Sequence, residues 1–478
     1  MSDLCDLTAL ELQTSIAKKA ISPVDLWNAC VARIKTTNTA LNAVVTLDED
    51  AGRKAAKEAE AKVVRGDPLG PLHGLPIGIK DLNETKGLRT TWGSELFADH
   101  IPVRDDTLVT SIRANGGIIA VKTNTPEFGA GANTWNRVFG ATGNPFNTSL
   151  TCGGSSGGSA VALAASMVPL ASGSDLAGSL RTPAAFCGVV GMRPTPGLVP
   201  TTDSVLAFSP LAVEGPMARN VRDLHLFLQA IAGNNHLDPF SRPADSGTGI
   251  AELKPANLRG LKVRFSTDLG FAPVSNNVRA LFGTRIAALE GCFASLEERD
   301  PPMQGADETF QVLRAVRFIA AHLDRVRNHA AKVGPNVTSN VELGLTFDAE
   351  QIARAEAAHS DHYRRFIRFM DDCDLLITPV AAVQPFDKTQ NAPTEIDGQT
   401  LQNYVSWLGL AFGITMTAHP VISLPCGHDS QGLPFGLQLI GKRHGDQRLL
   451  EIALALEDVL ANSIETRRPL VDFAGLAG

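Results

Sequence analysis

Two serine-bearing turns and one lysine carry the residue types that acyl-transfer chemistry requires. The stretch Thr151–Arg181, TCGGSSGGSAVALAASMVPLASGSDLAGSLR, has a Gly/Ser cluster at each end of a small apolar segment. Three readings compete for it. A flexible linker does not enclose a Leu-, Val- and Met-rich amphipathic segment. A phosphate cradle would use backbone N–H groups at a helix N-terminus, but GGSSGGS lacks the Gly-Lys-Ser/Thr ending of a Walker loop, and no GxGxxG follows the first strand-like run. A nucleophile turn accounts for more of it. In Gly173-Ser174-Asp175-Leu176-Ala177-Gly178-Ser179 the small residues let successive N–H groups converge on one point, as a tetrahedral oxyanion requires, and Ser179 can offer its hydroxyl to a bound acyl group.

A serine nucleophile needs a base. The chain has 11 histidines, none in a catalytic motif. His73 lies beside a Gly-rich turn and His419 precedes Pro420, and both read as ordinary structural or surface histidines. Lys80 closes the apolar run Gly74-Leu75-Pro76-Ile77-Gly78-Ile79 and is followed by Asp81. A lysine closing a buried strand is poorly solvated, which lowers its pKa and makes a neutral amine available. Taken alone, Lys80 also fits a surface lysine with a buried stem. Cys152 is near Ser155 in sequence, so a thiol nucleophile is conceivable, but no histidine adjoins it to activate the sulfur, and Cys187 offers no more.

These residues must be held by regular elements. Residues 6–65 read as helices, with Thr8 as a cap before Leu10, Leu12 and Ile16, and Ser22-Pro23 opening a second run through Leu26, Val31 and Ile34. Ala51–Val64 suits an exposed helix. From Gly70 the character changes. Strand-like runs Leu75–Ile79, Gly117–Val121, Val168–Ala171 and Gly188–Met192 alternate with helical segments Thr107–Ala114 and Ser156–Ala165. Residues 245–255 look like a surface connection, residues 275–370 read as largely helical, and 375–380, 420–426 and 434–440 return to strand character. The alternation predicts an α/β layer fold with a mostly buried sheet. One domain over 1–478 is the simplest arrangement: an N-terminal helical segment (1–65), a catalytic core (66–230), a largely helical region (231–370) and C-terminal strands and helices completing the sheet (371–478).

Bulk properties exclude several classes. Of 478 residues, 44% are hydrophobic and 19% charged, enough for a large core. The formal net charge of −7 argues against a nucleic-acid footprint. The start has no basic segment followed by an apolar run, so no secretory signal is expected, and no apolar stretch is long enough to span a membrane. The seven cysteines form no CxxC pair, which points to reduced thiols and a cytoplasmic protein rather than a disulfide framework or a zinc site.

Taken together, GLPIGIKD (74–81), VKTNTPEF (121–128), FGATGNPFN (139–147), CGGSSGGSA (152–160), GSDLAGSLRTPAAFCGVVGMRPT (173–195), EGPMARNVRDL (214–224), DLLITPV (374–380) and HPVISLPCG (419–427) resemble the amidase-signature family over nearly the whole chain. The 24-residue separation of Ser155 and Ser179 agrees with that family's pattern. The resemblance implies an α/β fold with a large mixed, twisted central sheet covered by helices on both faces. It implies Ser179 as nucleophile, Ser155 as bridging serine and Lys80 as base. It also implies a cis peptide before the bridging serine, here Gly154–Ser155, and an oxyanion hole from the N–H groups of Leu176, Ala177, Gly178 and Ser179. Ser156, Asp175 and Arg181 would support the turns, with a purely structural role and a direct catalytic one both open. Many members have Gly-Gly before the nucleophile where this chain has Ala177-Gly178. A methyl group there restricts positive φ.

The chemistry implied is hydrolysis of an amide C–N bond through an acyl-enzyme, with water as second substrate and no metal or organic cofactor. The glutaminase component of the glutamyl-tRNA amidotransferase is one prominent member, and it carries an acidic residue for the glutamine amine. The corresponding stretch here, residues 405–420, has no acid. An apolar wall of Trp407, Leu408 and Phe412 suits an uncharged aliphatic or aromatic amide, although core packing explains the same residues. The expectation is therefore a stand-alone amidase on small aryl or aliphatic amides, with carbamates or esters as side substrates and a homodimer left open. The alternatives are the glutaminase component of the amidotransferase and a non-catalytic scaffold.

Overall fold

A computed structural model describes residues 3–242 and 250–476. Eleven strands form one sheet: β1 (Val44–Leu47), β2 (Pro76–Lys80), β3 (Ile118–Thr123), β4 (Leu170–Asp175), β5 (Val190–Arg193), β6 (Val213–Ala218), β7 (Lys262–Phe265), β8 (Ser295–Glu298), β9 (Leu375–Pro379), β10 (Val421–His428) and β11 (Pro434–Ile440). Their spatial order is β1-β3-β2-β4-β6-β5-β10-β11-β9-β7-β8. Strand β2 runs parallel to both β3 and β4, and β7 parallel to β8 and β9; the remaining pairings are antiparallel. The sheet is mixed, as expected.

Every residue of β2, β3, β5, β9 and β11 is buried, which requires cover on both faces. Alternate residues of one strand join different apolar clusters. Ile119 and Leu170 belong to one, Ile118, Ala120 and Ala171 to the other, because successive side chains point to opposite faces. Helices Ala9–Ala17, Val221–Ile231 and Asp446–Ala461 pack into the first cluster, Gly157–Ala164 packs into the second, and Pro23–Leu41 contributes to both. The helix starts follow local chemistry. Thr8 and Glu11 form a capping box, and Ser22 caps a helix with Pro23 in its first turn. The helix Thr107–Ala114 has the expected bounds.

Three expectations need correction or restriction. The segment 6–65 is mainly helical, but Val44–Leu47 is an edge strand of the sheet, paired with β3. The region 275–370 is mainly helical, but Ser295–Glu298 is a strand on the sheet edge. Its sequence, SLEE, shows no apolar alternation because its charges face water, as edge strands tolerate. Of the surface connection at 245–255, residues 245–249 lie outside the described residues; the rest has no regular structure.

The helix Gly157–Ala164 lies entirely buried beneath the sheet. Its second residue, Gly158, donates its N–H to the Asn124 carbonyl at 3.1 Å. A Cβ there would stand 2.2 Å from the Asn124 nitrogen, so the helix can approach β3 only with glycine at this position. Gly158→Ala should destabilise the fold by about 1–3 kcal/mol, the usual range for overpacking. Chemical denaturation checks this, and an unchanged unfolding midpoint would contradict the close approach.

Candidate active site

Strand β2 ends at Lys80, whose side chain is fully buried. Its Nζ lies 2.7 Å from Ser155 Oγ, 2.9 Å from Ser156 Oγ and 2.9 Å from Ser174 Oγ. Its backbone N–H donates to Ser172 Oγ at 3.0 Å. Ser155 and Ser156 come from the turn before the buried helix, and Ser172 and Ser174 from β4, the parallel neighbour of β2. The Gly154–Ser155 peptide is cis, as the resemblance implied.

An ammonium would donate to all three hydroxyls. A neutral amine keeps two N–H donors and one lone pair, so one hydroxyl must donate into it. Ser156 Oγ faces the Ser174 carbonyl at 3.3 Å, which gives its proton an acceptor. Ser155 and Ser174 retain protons for the lysine. Burial lowers the Lys80 pKa to about 7, partly opposed by the charges of Glu214 and Asp175. A second buried lysine shows the contrast. Lys122 on β3 is also lowered by burial, to about 8. It donates to the Asn83 carbonyl, Thr85 Oγ1 and Thr90 Oγ1, and sits 3.9 Å from Asp81. Its environment anchors a cation to the loop after β2; that of Lys80 offers hydroxyls only.

The turn 173–179 is held by Asp175. Its carboxylate accepts from the N–H groups of Gly178 (3.0 Å) and Leu180 (3.1 Å), and from Arg181 Nε and Nη2 at 3.0 and 2.8 Å. Burial would raise its pKa, but Arg181 and Arg193 outweigh burial and hold it well below the carboxylate range. Arg181 continues to the Ala411 carbonyl, Gln438 Oε1 and Thr415 Oγ1. Asp175 and Arg181 thus tie the turn to β11 and to the helix Gly409–Thr415, a structural arrangement.

The oxyanion-hole expectation changes in one respect. The Gly178 N–H is committed to Asp175. The N–H groups of Leu176, Ala177 and Ser179 meet no acceptor among the described residues, so three donors remain. The positive φ of the turn, 102°, falls on Gly178 and not on Ala177, so the alanine meets no backbone penalty. Ser179 lines the cavity and its carbonyl accepts from the Ser156 N–H at 3.2 Å. Lys80 and Ser155 are brought into contact; Ser179 reaches the same cavity wall without a hydrogen bond between the two hydroxyls.

That cavity, of about 330 Å³, opens over Ser155, Ser174 and Ser179. Of the three expected pocket residues only Leu408 lines it. Trp407 is 1% exposed and packs against Phe186 and Phe386. Phe412 stacks on Phe310 at 4.5 Å. Both are core residues, since the short helical turns at 406–415 send successive side chains to different sides. The wall is formed instead by Leu82, Phe128, Phe318, Tyr404 and two arginines, Arg314 and Arg317. Ser174 and Glu214 also escaped the sequence reading. They are direct partners across β4 and β6; the one available signal was a lone acid in an otherwise apolar strand. Glu214 Oε2 is shut off from solvent without a hydrogen-bond partner, and burial raises its pKa. The bypassed residues stay inert. Burial pushes the Cys152 thiol up to about 12 and the His419 imidazole down to about 3. His73 contacts the Ala59 carbonyl.

The Amidase family model matches residues 25–450. An acylamidase from Rhodococcus erythropolis is 34% identical over 456 residues, 95% of each chain. The glutamyl-tRNA(Gln) amidotransferase of Alkaliphilus metalliredigens contributes a relative, one of its subunits, that is 32% identical and covers 95% of this chain and 96% of its own. The structure of a bacterial aryl acylamidase of the amidase signature enzymes aligns with a TM-score of 0.88 at 27% identity, covering 95% of this chain and 96% of that one. The chain therefore belongs to the amidase-signature family. It is a hydrolase of carboxylic amide C–N bonds. Among the described residues no helix is long and apolar enough to cross a membrane.

Burial raises the Glu214 carboxyl to about 8, above the value of about 7 to which it lowers Lys80, so the carboxyl is largely neutral where the amine titrates. Glu214→Gln, which mimics that neutral form, should leave the rise of amide hydrolysis near its wild-type pH. A pH–rate profile of the variant reads this directly, and a midpoint that falls by about a unit or more would contradict a neutral Glu214.

Proposed function

We propose that the protein is a stand-alone amidase in which Ser179 attacks the amide carbonyl, Ser155 relays the proton and Lys80 is the base. Neutral Lys80 accepts the proton of Ser155 while Ser155 accepts that of Ser179, whose oxygen bonds to the carbonyl carbon. The oxyanion is met by the free N–H groups of Leu176, Ala177 and Ser179. Returning the proton along the chain to the leaving nitrogen releases an amine rather than an amide anion. Water then attacks the acyl-enzyme, gives its proton to the same relay and releases the carboxylic acid. The observation that carries this reading is the 2.7 Å contact of a fully buried lysine amine with the Ser155 hydroxyl. Ser179 is tied to the same turn, its carbonyl accepting from the Ser156 N–H at 3.2 Å.

The likeness to an acylamidase and an aryl acylamidase supports small aryl or aliphatic amides as substrates, with carbamates or esters as side substrates. A glutaminase role has less support, because residues 405–420 offer no acid for a substrate amine. We read the chain as one amidase domain, since its single large sheet draws strands from Val44 to Ile440. Seven cysteines without a disulfide among the described residues support a cytoplasmic setting.

A fluorophosphonate probe should label Ser179 and no other residue, read by peptide mass spectrometry. Lys80→Ala should lose about 10²–10⁴-fold in 4-nitroacetanilide hydrolysis, the usual contribution of a general base. Labelling elsewhere, or full activity without Lys80, would defeat the assignment. A scaffold protein would show no labelling, and an amidotransferase component would require a partner and glutamine.

A further inference from the structure

The helix Ala306–His329 turns one face to the cavity, with Arg314, Arg317, Phe318, Ala321 and His322 along it. This is the spacing of a single helical stripe. The two arginines are unusual in what they lack. Arg314 is 3% exposed; its Nη1 lies 3.2 Å from Tyr404 Oη, its Nη2 2.8 Å from Gln311 Oε1, and its Nε has no partner. Arg317 makes one polar contact among the described residues, 3.5 Å to Ser204 Oγ. No carboxylate stands within ion-pair distance of either among the described residues. Burial lowers both guanidinium pKa values, and for Arg317 it acts alone.

Three of the four acids that line the cavity are engaged elsewhere. Asp175 is paired with Arg181 and Arg193, and Asp203 with Arg104 at 3.3 Å. Asp106 accepts from the Val109 N–H and Asn83 Nδ2. Glu214 sits across from Ser174 at the lysine end. The α-helical wall therefore carries positive charge that the chain does not neutralise. Removing guanidinium groups from water without a counter-charge is costly unless a ligand supplies one. A planar carboxylate matches the fork geometry of guanidinium donors.

We propose that the preferred substrate is an amide bearing a carboxylate on its acyl or amine half, bound by Arg317 with Arg314 behind it, while the scissile carbonyl rests at Ser179. This inference rests on the hydrolytic reading above and narrows its substrate class. It also reverses the expectation of an uncharged binding wall.

The test compares two matched pairs: glutaryl-4-nitroanilide against hexanoyl-4-nitroanilide, and N-butyryl-4-aminobenzoate against N-butyryl-4-toluidine. In at least one pair the carboxylate member should have a kcat/KM about tenfold higher or more, mainly through KM, as a desolvated charged hydrogen bond allows. Arg317→Ala should abolish that ratio and Arg317→Lys should retain part of it. A preference for the neutral member in both pairs of the wild-type enzyme would overturn the proposal. So would a carboxylate preference unchanged in Arg317→Ala. Turnover of neutral anilides in those cases leaves the amidase reading standing. Failure on all four substrates, with no fluorophosphonate adduct on Ser179, would remove that reading and this inference together.

Discussion

A lysine amine sealed from water and surrounded by three serine hydroxyls is the constraint around which this molecule is built. The amine has no carboxylate bonded to it, its hydrogen bonds go to hydroxyls, and burial shifts it toward neutrality, partly opposed by Glu214 and Asp175. Such a group must be held from several sides. Strand β2 supplies the lysine, β4 supplies Ser174 beside it, and the turn before the buried helix supplies Ser155 and Ser156. Gly158 lets that helix close on β3. The parallel β2–β4 pairing fixes the relative height of lysine and serines.

Charge in the site is sorted by distance from the lysine. Asp175 is spent on two arginines and on the backbone of the turn that carries Ser179, so it contributes rigidity. Gln438 and Thr415 extend that grip, linking the turn to strands and helices far along the chain. Glu214, paired with Ser174 across β4 and β6, is buried and its pKa is raised by that burial. The uncompensated arginines lie on a separate helix across the cavity. The buried lysine thus sits on the sheet, with Ser174 on the neighbouring strand and Ser155 in the turn before the buried helix, while the arginines sit on a separate helix.

Much of this was legible in the sequence. Lys80 was visible because it ends an apolar run, and the helix starts were visible through Thr8, Ser22 and Pro23. The second Gly/Ser turn pointed to Ser179, and the family resemblance to Ser155. What stayed hidden depends on tertiary pairing. Trp407 and Phe412 could not be told from pocket wall, since core and wall draw on the same apolar residues. Ser174 and Glu214 become neighbours only once β4 and β6 align, and the arginines face the cavity only once their helix is docked. The commitment of the Gly178 N–H to Asp175 is likewise a matter of how the turn folds back.

The most direct test of the central claim is the ionisation of Lys80 itself. In protein labelled with lysine carrying ¹³C at Cε, the resonance missing from the Lys80→Ala spectrum is that of Lys80. A titration in which that amine gives up its proton near pH 7 is the expected result. A Lys80 that remains an ammonium up to about pH 10, the ordinary lysine range, would contradict the account.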